Sequence, residues 1–218
     1  MDKNNAAINA EEKHLKRGPL YKRPLDFILA LFGLIVSSPL WVVIALLIFL
    51  EDRGPVFFLQ KRCGKGGTLF PLIKFRTMKY NKSTPHKIVD IEDDPRVTKV
   101  GKILRASGMD ELPGLTNILI GNMSFVGPRP QPFNLDDDDS LLYNNIADIP
   151  GFARRSQVRP GLTGIAQIYA PKTTPRRNKF RYDNLYVRNI GFFLDVKLIV
   201  ASFWITIRGK WERRGKKI

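Results

Sequence analysis

Hydrophobic and polar positions divide the chain unevenly. From Phe27 to Leu50, 24 residues pass without one charged side chain. A continuous helix of that length rises about 36 Å, against a hydrocarbon core of about 30 Å. The segment is long enough to span a bilayer, yet Ser37-Ser38-Pro39 sits midway through it. Pro39 lacks an amide hydrogen and clashes with the carbonyl four residues back, so it kinks the helix; the serine hydroxyls can satisfy the carbonyl that it frees. Such a break allows the segment to turn back. Beyond it, Val56 to Gln60 and Leu69 to Phe75 are β-favouring runs separated by Gly64, Gly66 and Gly67, the pattern of a hairpin. Val97 to Ala106 has helical periodicity, with Val100, Ile103 and Leu104 on one face, and a further helix is expected from near Asp110 to Ile120. The Pro and Gly steps at 127–132 and 159–164 mark ordered turns. Phe192 to Ile207 is apolar except for Asp195 and Lys197 and is followed by a basic tail. It reads equally as a helix lying in the headgroup layer or as a core helix with a solvated tail.

Charge refines the membrane reading. Lys13, Lys16, Arg17, Lys22 and Arg23 precede the apolar segment, and Arg53, Lys61, Arg62, Lys65, Lys74 and Arg76 follow it. A spanning helix normally carries its basic excess on the cytoplasmic side alone. Basic residues on both flanks favour a re-entrant segment with both ends on the cytoplasmic face, while a kinked single-pass anchor stays open. A cleaved signal peptide fits poorly, because the apolar run starts late and no small-residue cleavage pattern follows. The 36 Lys and Arg against 20 Asp and Glu give a net charge of +16, which implies an anionic partner. Phospholipid headgroups, nucleic acid and phosphorylated substrates all qualify. The single cysteine, Cys63, excludes an internal disulfide framework, and the isolated His14 and His86 argue against a histidine-based triad or zinc site. The acidic run Asp136 to Asp139 reads as a solvated loop.

The chemistry centres on Gly108-Met109-Asp110-Glu111-Leu112-Pro113. Ser107 and Asp110 fit a capping box, and Asp110 as the cap itself would leave Pro113 in the first turn, so either register places Asp110 at a helix N-terminus. The partial positive charge there favours an ionised carboxylate and attracts phosphate. Taken alone, an Asp-Glu pair at a helix start is ordinary capping. Its neighbours change that reading: the Ser38-Pro39 break, LIKFRTM at 72–78, DDPRVTKVGKILR at 93–105, MDELPGLTN at 109–117, GNMSFVGPRP at 121–130, RPGLTGIAQI at 159–168, and Asp183, Tyr186 and Asp195. In this order and spacing the chain resembles the small monotopic phosphoglycosyl transferases, bacterial membrane enzymes that move a phosphosugar from a UDP-sugar to polyprenol (undecaprenyl) phosphate. The resemblance covers about Tyr21 to Gly209.

That resemblance implies an α+β, mainly helical, monotopic membrane protein of the bacterial inner membrane. Its parts are a basic N-terminal tail (1–20), a re-entrant helix-break-helix hairpin (21–52), a cytoplasmic-face catalytic domain with interfacial helices and a small β-hairpin (53–209), and a basic C-terminal tail (210–218). It further implies that Asp110 attacks the sugar-bearing phosphate, releases UMP and forms a covalent aspartyl-phosphosugar. Covalent catalysis splits one transfer between two bulky anions into two easier displacements. Mg²⁺ held by Asp110 and Glu111 would reduce the repulsion between carboxylate and diphosphate. Lys74, Arg76, Arg96, Arg105 and Arg129 are candidate phosphate ligands, each with a surface salt bridge as its alternative; Arg105 suits the polyprenol phosphate. Pro128 and Pro130 fix the backbone around Arg129. Arg159 belongs to a second rigid turn, either near the nucleotide or purely structural. A homodimer is left open, and nucleic acid is not an expected partner.

The sequence departs from the family pattern at Gly114, where a polar amide residue is usual, at Thr116, where a bulky residue is usual, and at Ile165, where an aromatic is frequent. Sugar specificity is expected within 131–153 or 169–179. The rival class is a membrane-anchored basic protein that binds nucleic acid or anionic lipid without catalysis, and a single-pass scaffold is a third reading.

Overall fold

The computed structural model describes residues 18–80, 94–133, 142–171 and 173–208. The acidic run, both histidines and the basic tail after Arg208 lie outside the described residues. The architecture is mainly helical α+β. Helix α1 (Lys22–Asp52) leads into the antiparallel hairpin β1 (Phe57–Cys63) and β2 (Leu69–Phe75), followed by α2 (Lys99–Ser107), α3 (Gly114–Ile120) and β3 (Ser124–Val126). The short helix α4 (Phe152–Arg155) precedes β4 (Gly161–Thr163), which pairs parallel with β3. Helices α5 (Ile165–Tyr169), α6 (Arg176–Arg188) and α7 (Phe192–Ile207) complete the order.

Helix α1 runs through Pro39 without a break in its helical assignment, so the expected helix-break-helix is a single helix with a proline inside it. Ser38 Oγ donates to Ile35 O at 2.8 Å, the carbonyl that Pro39 leaves without its amide partner. Ser37 Oγ instead accepts from Trp41 Nε1 at 3.0 Å. Both ends of α1 are fastened to the rest of the molecule. At the start, Arg23 donates to Ile118 O and Leu119 O (2.6 and 2.7 Å), and buried Asp26 accepts from Ser124 Oγ and Phe125 N (3.0 and 2.9 Å). At the end, Glu51 accepts from Lys99 N and Val100 N (2.6 and 3.0 Å), capping α2 with a carboxylate. Between them, Ala30 packs with Leu115 and Ile118, and Ile44 and Ile48 pack with Phe75 and Leu104. The opposite face of α1 leaves Phe32, Ile35, Val36, Val42 and Leu50 uncovered.

The hairpin forms as expected, its first strand reaching Cys63 because Gly64 N donates to Thr68 O at 2.7 Å and closes the turn. Gly66 and Gly67 there take φ of 67° and 78°, backbone that L side chains rarely adopt. Helix α2 begins after Thr98, whose hydroxyl accepts from Gly101 N at 2.9 Å. Its buried stripe is narrower than its periodicity suggests: Leu104 is buried, Val100 packs beside it, and Ile103 faces out. Close backbone approach explains this, since a Cβ on Gly101 would sit 2.1 Å from Thr77 O. The expected capping box does not form. Ser107 Oγ donates to Ile103 O and Leu104 O (2.9 and 3.1 Å), and Met109–Glu111 is one turn of 3₁₀ helix ahead of α3.

Helix α7 buries Asp195 and Leu198 and leaves Phe193, Val200, Phe203 and Ile207 exposed. Among the described residues nothing covers that outer face, which fits an enclosed core helix poorly. Asp195 gathers the fold's two ends: it accepts from Tyr186 Oη (2.7 Å) on α6 and, near the start of α1, from Lys22 Nζ (2.8 Å) and Tyr21 Oη (3.0 Å). Replacing Asp26→Ala leaves two donors without an acceptor at the α1–β3 contact. At about 1–3 kcal/mol for each buried unsatisfied group, the two together should lower stability by about 2–6 kcal/mol, read as a lower Tm and urea midpoint; Phe32→Ala, on the uncovered face, should change the detergent-solubilised protein much less.

Candidate active site

Three chain segments meet at the Asp110–Glu111 turn. Helix α2 ends at Gly108, whose φ of 73° reverses the chain. The single 3₁₀ turn then presents two consecutive carboxylates, and Pro113 caps α3. Asn117, fully buried in α3, donates to Pro71 O (2.8 Å) and accepts from Ile73 N (3.0 Å) on the free edge of β2. That pair of bonds sets the register between α3 and β2. It thereby sets Lys74, the next residue along β2, against the carboxylates. The third segment is the Gly127–Pro132 loop after β3, which carries Arg129.

The two carboxylates are not equivalent. Glu111 Oε1 accepts from Lys74 Nζ at 2.6 Å and from Arg129 Nη2 at 2.9 Å. Asp110 Oδ2 lies 3.8 Å from the same Lys74 Nζ, within ion-pair range and beyond hydrogen-bond range. Their protonation differs accordingly. Burial opposes ionisation of Glu111, but Arg129 and Lys74 outweigh it and hold the carboxyl far below the ordinary glutamate range. Burial pushes Asp110 above the ordinary aspartate range; Lys74 pulls it down, the Glu111 charge pushes it up, and Arg129 and Arg105 pull it down more weakly. Glu111 is thus a fixed anion held by two cations, and Asp110 is the more basic and less restrained carboxylate.

A shallow pocket opens beside them, with Arg62, Lys74, Glu111 and Arg129 around it and Leu72 and Met123 at its base. Three cations around one carboxylate make it a receptor for anions. Arg105, on the last turn of α2, donates to Thr77 Oγ1 at 2.9 Å. Pro130 lines the pocket and its carbonyl accepts from Arg62 Nη1 at 3.1 Å. The remaining sequence candidates engage other groups. Arg76 donates to Asp52 O at 2.8 Å and pairs with its carboxylate at 3.4 Å. Arg96 pairs with Asp94 at 2.6 Å, and Arg159 donates to Gly121 O at 2.8 Å. None of these contacts reaches the carboxylate turn. Sequence reasoning missed Arg62 and Asn117; the signal for Asn117 was an amide between Leu115 and Ile118 in an otherwise apolar stretch.

Adjacent carboxylates suit a hard divalent cation, since Mg²⁺ takes oxygen donors and usually one or two protein carboxylates completed by water and substrate phosphate. Asp110 and Glu111 supply that donor set, and no group of three His, Cys, Asp or Glu occurs among the described residues.

The family model for bacterial sugar transferases matches residues 17–209. The chain belongs to the bacterial sugar transferase family. It is 40% identical over 188 residues to a UDP-glucose:undecaprenyl-phosphate glucose-1-phosphate transferase of Caulobacter vibrioides, covering 84% of this chain and 68% of that one. It is 37% identical over 197 residues to a UDP-N-acetylgalactosamine-undecaprenyl-phosphate N-acetylgalactosaminephosphotransferase of Aeromonas hydrophila, covering 88% of this chain and 45% of that protein. The exopolysaccharide production protein ExoY of Sinorhizobium fredii is 36% identical over 200 residues, with 85% and 84% covered. The chain thus spans less than half of the Aeromonas relative's length and most of the Sinorhizobium one's.

The raised Asp110 carboxyl gives a stability prediction. A carboxyl whose folded-state pKa exceeds its unfolded value destabilises the fold once pH rises through that folded value, and leaves stability untouched below the ordinary range near 3.9. Asp110→Asn removes the titration. The variant should melt at a higher temperature than wild type at pH 7–8, and thermal scans taken toward pH 4 should show the advantage shrinking.

Proposed function

We propose that this chain transfers a phosphosugar from a UDP-sugar to polyprenol phosphate, undecaprenyl phosphate in bacteria, releasing UMP. The observation that carries the reading is the division of labour at the turn: Glu111 hydrogen-bonds both Lys74 and Arg129 while Asp110, one residue away and 3.8 Å from Lys74, keeps a less restrained and more basic carboxylate. A carboxylate oxygen of Asp110 attacks the sugar-bearing phosphorus. The bond from that phosphorus to the bridging oxygen breaks, and UMP departs with that oxygen. An oxygen of polyprenol phosphate then attacks the aspartyl-phosphosugar, the acyl phosphate P–O bond breaks, and Asp110 regains its carboxylate as polyprenol-diphosphate-sugar leaves. Lys74 and Arg129 line the position of the diphosphate, and Arg105, which adds to the positive field at Asp110, suits the lipid phosphate. Asp110 and Glu111 would hold Mg²⁺, which supplies charge neutralisation between the diphosphate and the attacking carboxylate. Both named substrates of the relatives are of this kind, UDP-sugar and undecaprenyl phosphate.

The reading extends to topology. A straight helix of 31 residues rises about 46 Å, so spanning a core of about 30 Å would put its ends on opposite faces. Both ends of α1 bind the same polar body, through Arg23 and Asp26 at one end and Glu51 and Asp52 at the other. This supports a monotopic arrangement in which both ends of α1 lie at the cytoplasmic face of the inner membrane, with the uncovered faces of α1 and α7 seated in lipid. Polyprenol phosphate then meets the site without leaving the bilayer. The alternative of a non-catalytic anion binder loses ground because a binder gains nothing from two unequal carboxylates inside its cationic pocket.

Nanodisc-held protein given Mg²⁺, undecaprenyl phosphate and a panel of UDP-sugars should release UMP with a subset of donors. Turnover should fall at least about 10³-fold for Asp110→Asn, since the residue forms the covalent bond, and should stop with EDTA; no UMP across the panel from folded protein would transfer support to the binding reading. For topology, thiol probes applied to sealed inverted membrane vesicles should label Leu20→Cys and Arg53→Cys from the same side, and labelling from opposite sides would sink the monotopic arrangement.

A further inference from the structure

Arg129 stands between two prolines, so Pro128-Arg129-Pro130 offers one backbone donor, the Arg129 N–H. Other carbonyls of this loop are bound from two strands: Pro128 O by Gly161 N (2.9 Å) of β4, and Pro130 O and Gln131 O by Arg62 (3.1 Å) and Cys63 N (2.9 Å) of β1. At Arg129 the partner is different in kind. Its carbonyl accepts from Arg155 Nη2, a buried side chain that is itself held by Asp183. Arg155 and Asp183 are paired to each other at 2.8 Å and leave only 3% and 1% of their side-chain surface exposed. Phe180 covers the guanidinium, its ring centroid 4.5 Å from Arg155 Cζ.

A buried ion pair is an expensive way to hold a loop, because desolvating the two charges offsets most or all of their attraction, and apolar residues of similar volume are often as stabilising. Stability therefore does not account for this pair. What distinguishes it is its position: Arg155, held by Asp183, grips the backbone carbonyl of the residue whose guanidinium holds Glu111. We propose that Arg155 and Asp183 form a positioning pair that fixes Arg129, and through it Glu111, without touching substrate. Neither residue lies in the pocket. The pair anchors Arg129 by its carbonyl, so the guanidinium emerges from a fixed base and its reach to Glu111 depends on its own rotamer. A displacement of about 1 Å in a positioning group can lower rate by about 100-fold. The role of the pair in turnover rests on the transferase reading; the grip on Arg129 does not.

The test uses the full chain in nanodiscs with ¹⁵N-labelled arginine. The Arg129 Nε–H signal, assigned by its loss in Arg129→Lys, should move on Glu111→Gln as the ion pair is broken. The combined replacement Arg155→Met with Asp183→Leu removes both charges together and should keep a cooperative melt. In it, the Arg129 signal should shift as it does on Glu111→Gln, and kcat for UMP release should fall about 10–100-fold. Adding Arg129→Ala should produce no loss beyond that of Arg129→Ala alone, because the pair acts only through that side chain. Should the combined variant fail to fold, Asp183→Asn, which keeps shape and one acceptor, replaces it in both measurements. An unmoved Arg129 signal, or losses that multiply in the added variant, would overturn the proposal. A wild-type protein that releases no UMP would instead count against the transferase reading, and the Arg129 signal alone would then decide whether the grip exists.

Discussion

Lys74, Glu111 and Arg129 come from a strand, a 3₁₀ turn and a loop, and their ion pairs are the junction on which the rest depends. Charges this close inside a partly covered pocket are strongly coupled, and the coupling is lopsided: two cations converge on Glu111 Oε1, and only one reaches Asp110, at 3.8 Å. The consequence is chemical. One carboxylate is neutralised in place and the other is kept both basic and loosely held, which is the condition for a nucleophile that must attack an anionic phosphate and later be released from it. Each partner is held from behind. Asn117 fixes the edge of β2 beside Lys74, the Gly108 reversal aims the turn, and the carbonyl of Arg129 is bound by Arg155, which Asp183 holds.

The same body also grips the apolar helix α1. Asp26, Arg23, Glu51 and Asp52 are polar anchors at the two ends of a segment whose outer face is largely apolar, so the helix has a protein side and an uncovered apolar side suited to lipid. Ser38 makes this tolerable at its middle by satisfying the carbonyl that Pro39 abandons. Membrane attachment and site assembly are consequently parts of one packing problem: Ala30 of α1 shares a core with Leu72 and Leu115, which flank Lys74 and the carboxylate turn in sequence.

Much of this was legible in the residues. The apolar segment, the hairpin, α2, α7 and the carboxylate turn follow from periodicity and from glycine and proline placement. Arg129 was marked by its two prolines. The failures share a cause. Helix α6 escaped notice because its buried stripe of Phe180, Asp183, Tyr186 and Val187 contains an acid and lies in a strongly basic stretch, so no apolar periodicity shows. The parallel pair β3–β4 joins three-residue strands far apart in sequence, and such pairing depends on tertiary packing. Arg76, Arg96 and Arg159 carry the same chemistry as Arg129, and only geometry reveals that Asp52, Asp94 and the Gly121 carbonyl engage them. Ser107 resembled a cap, yet its hydroxyl turns back to the preceding helix.

The central claim is that Asp110 forms a covalent bond to the phosphosugar, and the most direct test is intact-protein and peptide mass spectrometry after incubation with an accepted UDP-sugar and Mg²⁺ in the absence of polyprenol phosphate. The account predicts an added mass equal to one phosphosugar on the peptide containing Asp110, lost on adding polyprenol phosphate and never formed by Asp110→Asn. Turnover by wild type with no adduct under rapid quenching, together with retained turnover in Asp110→Asn, would contradict it.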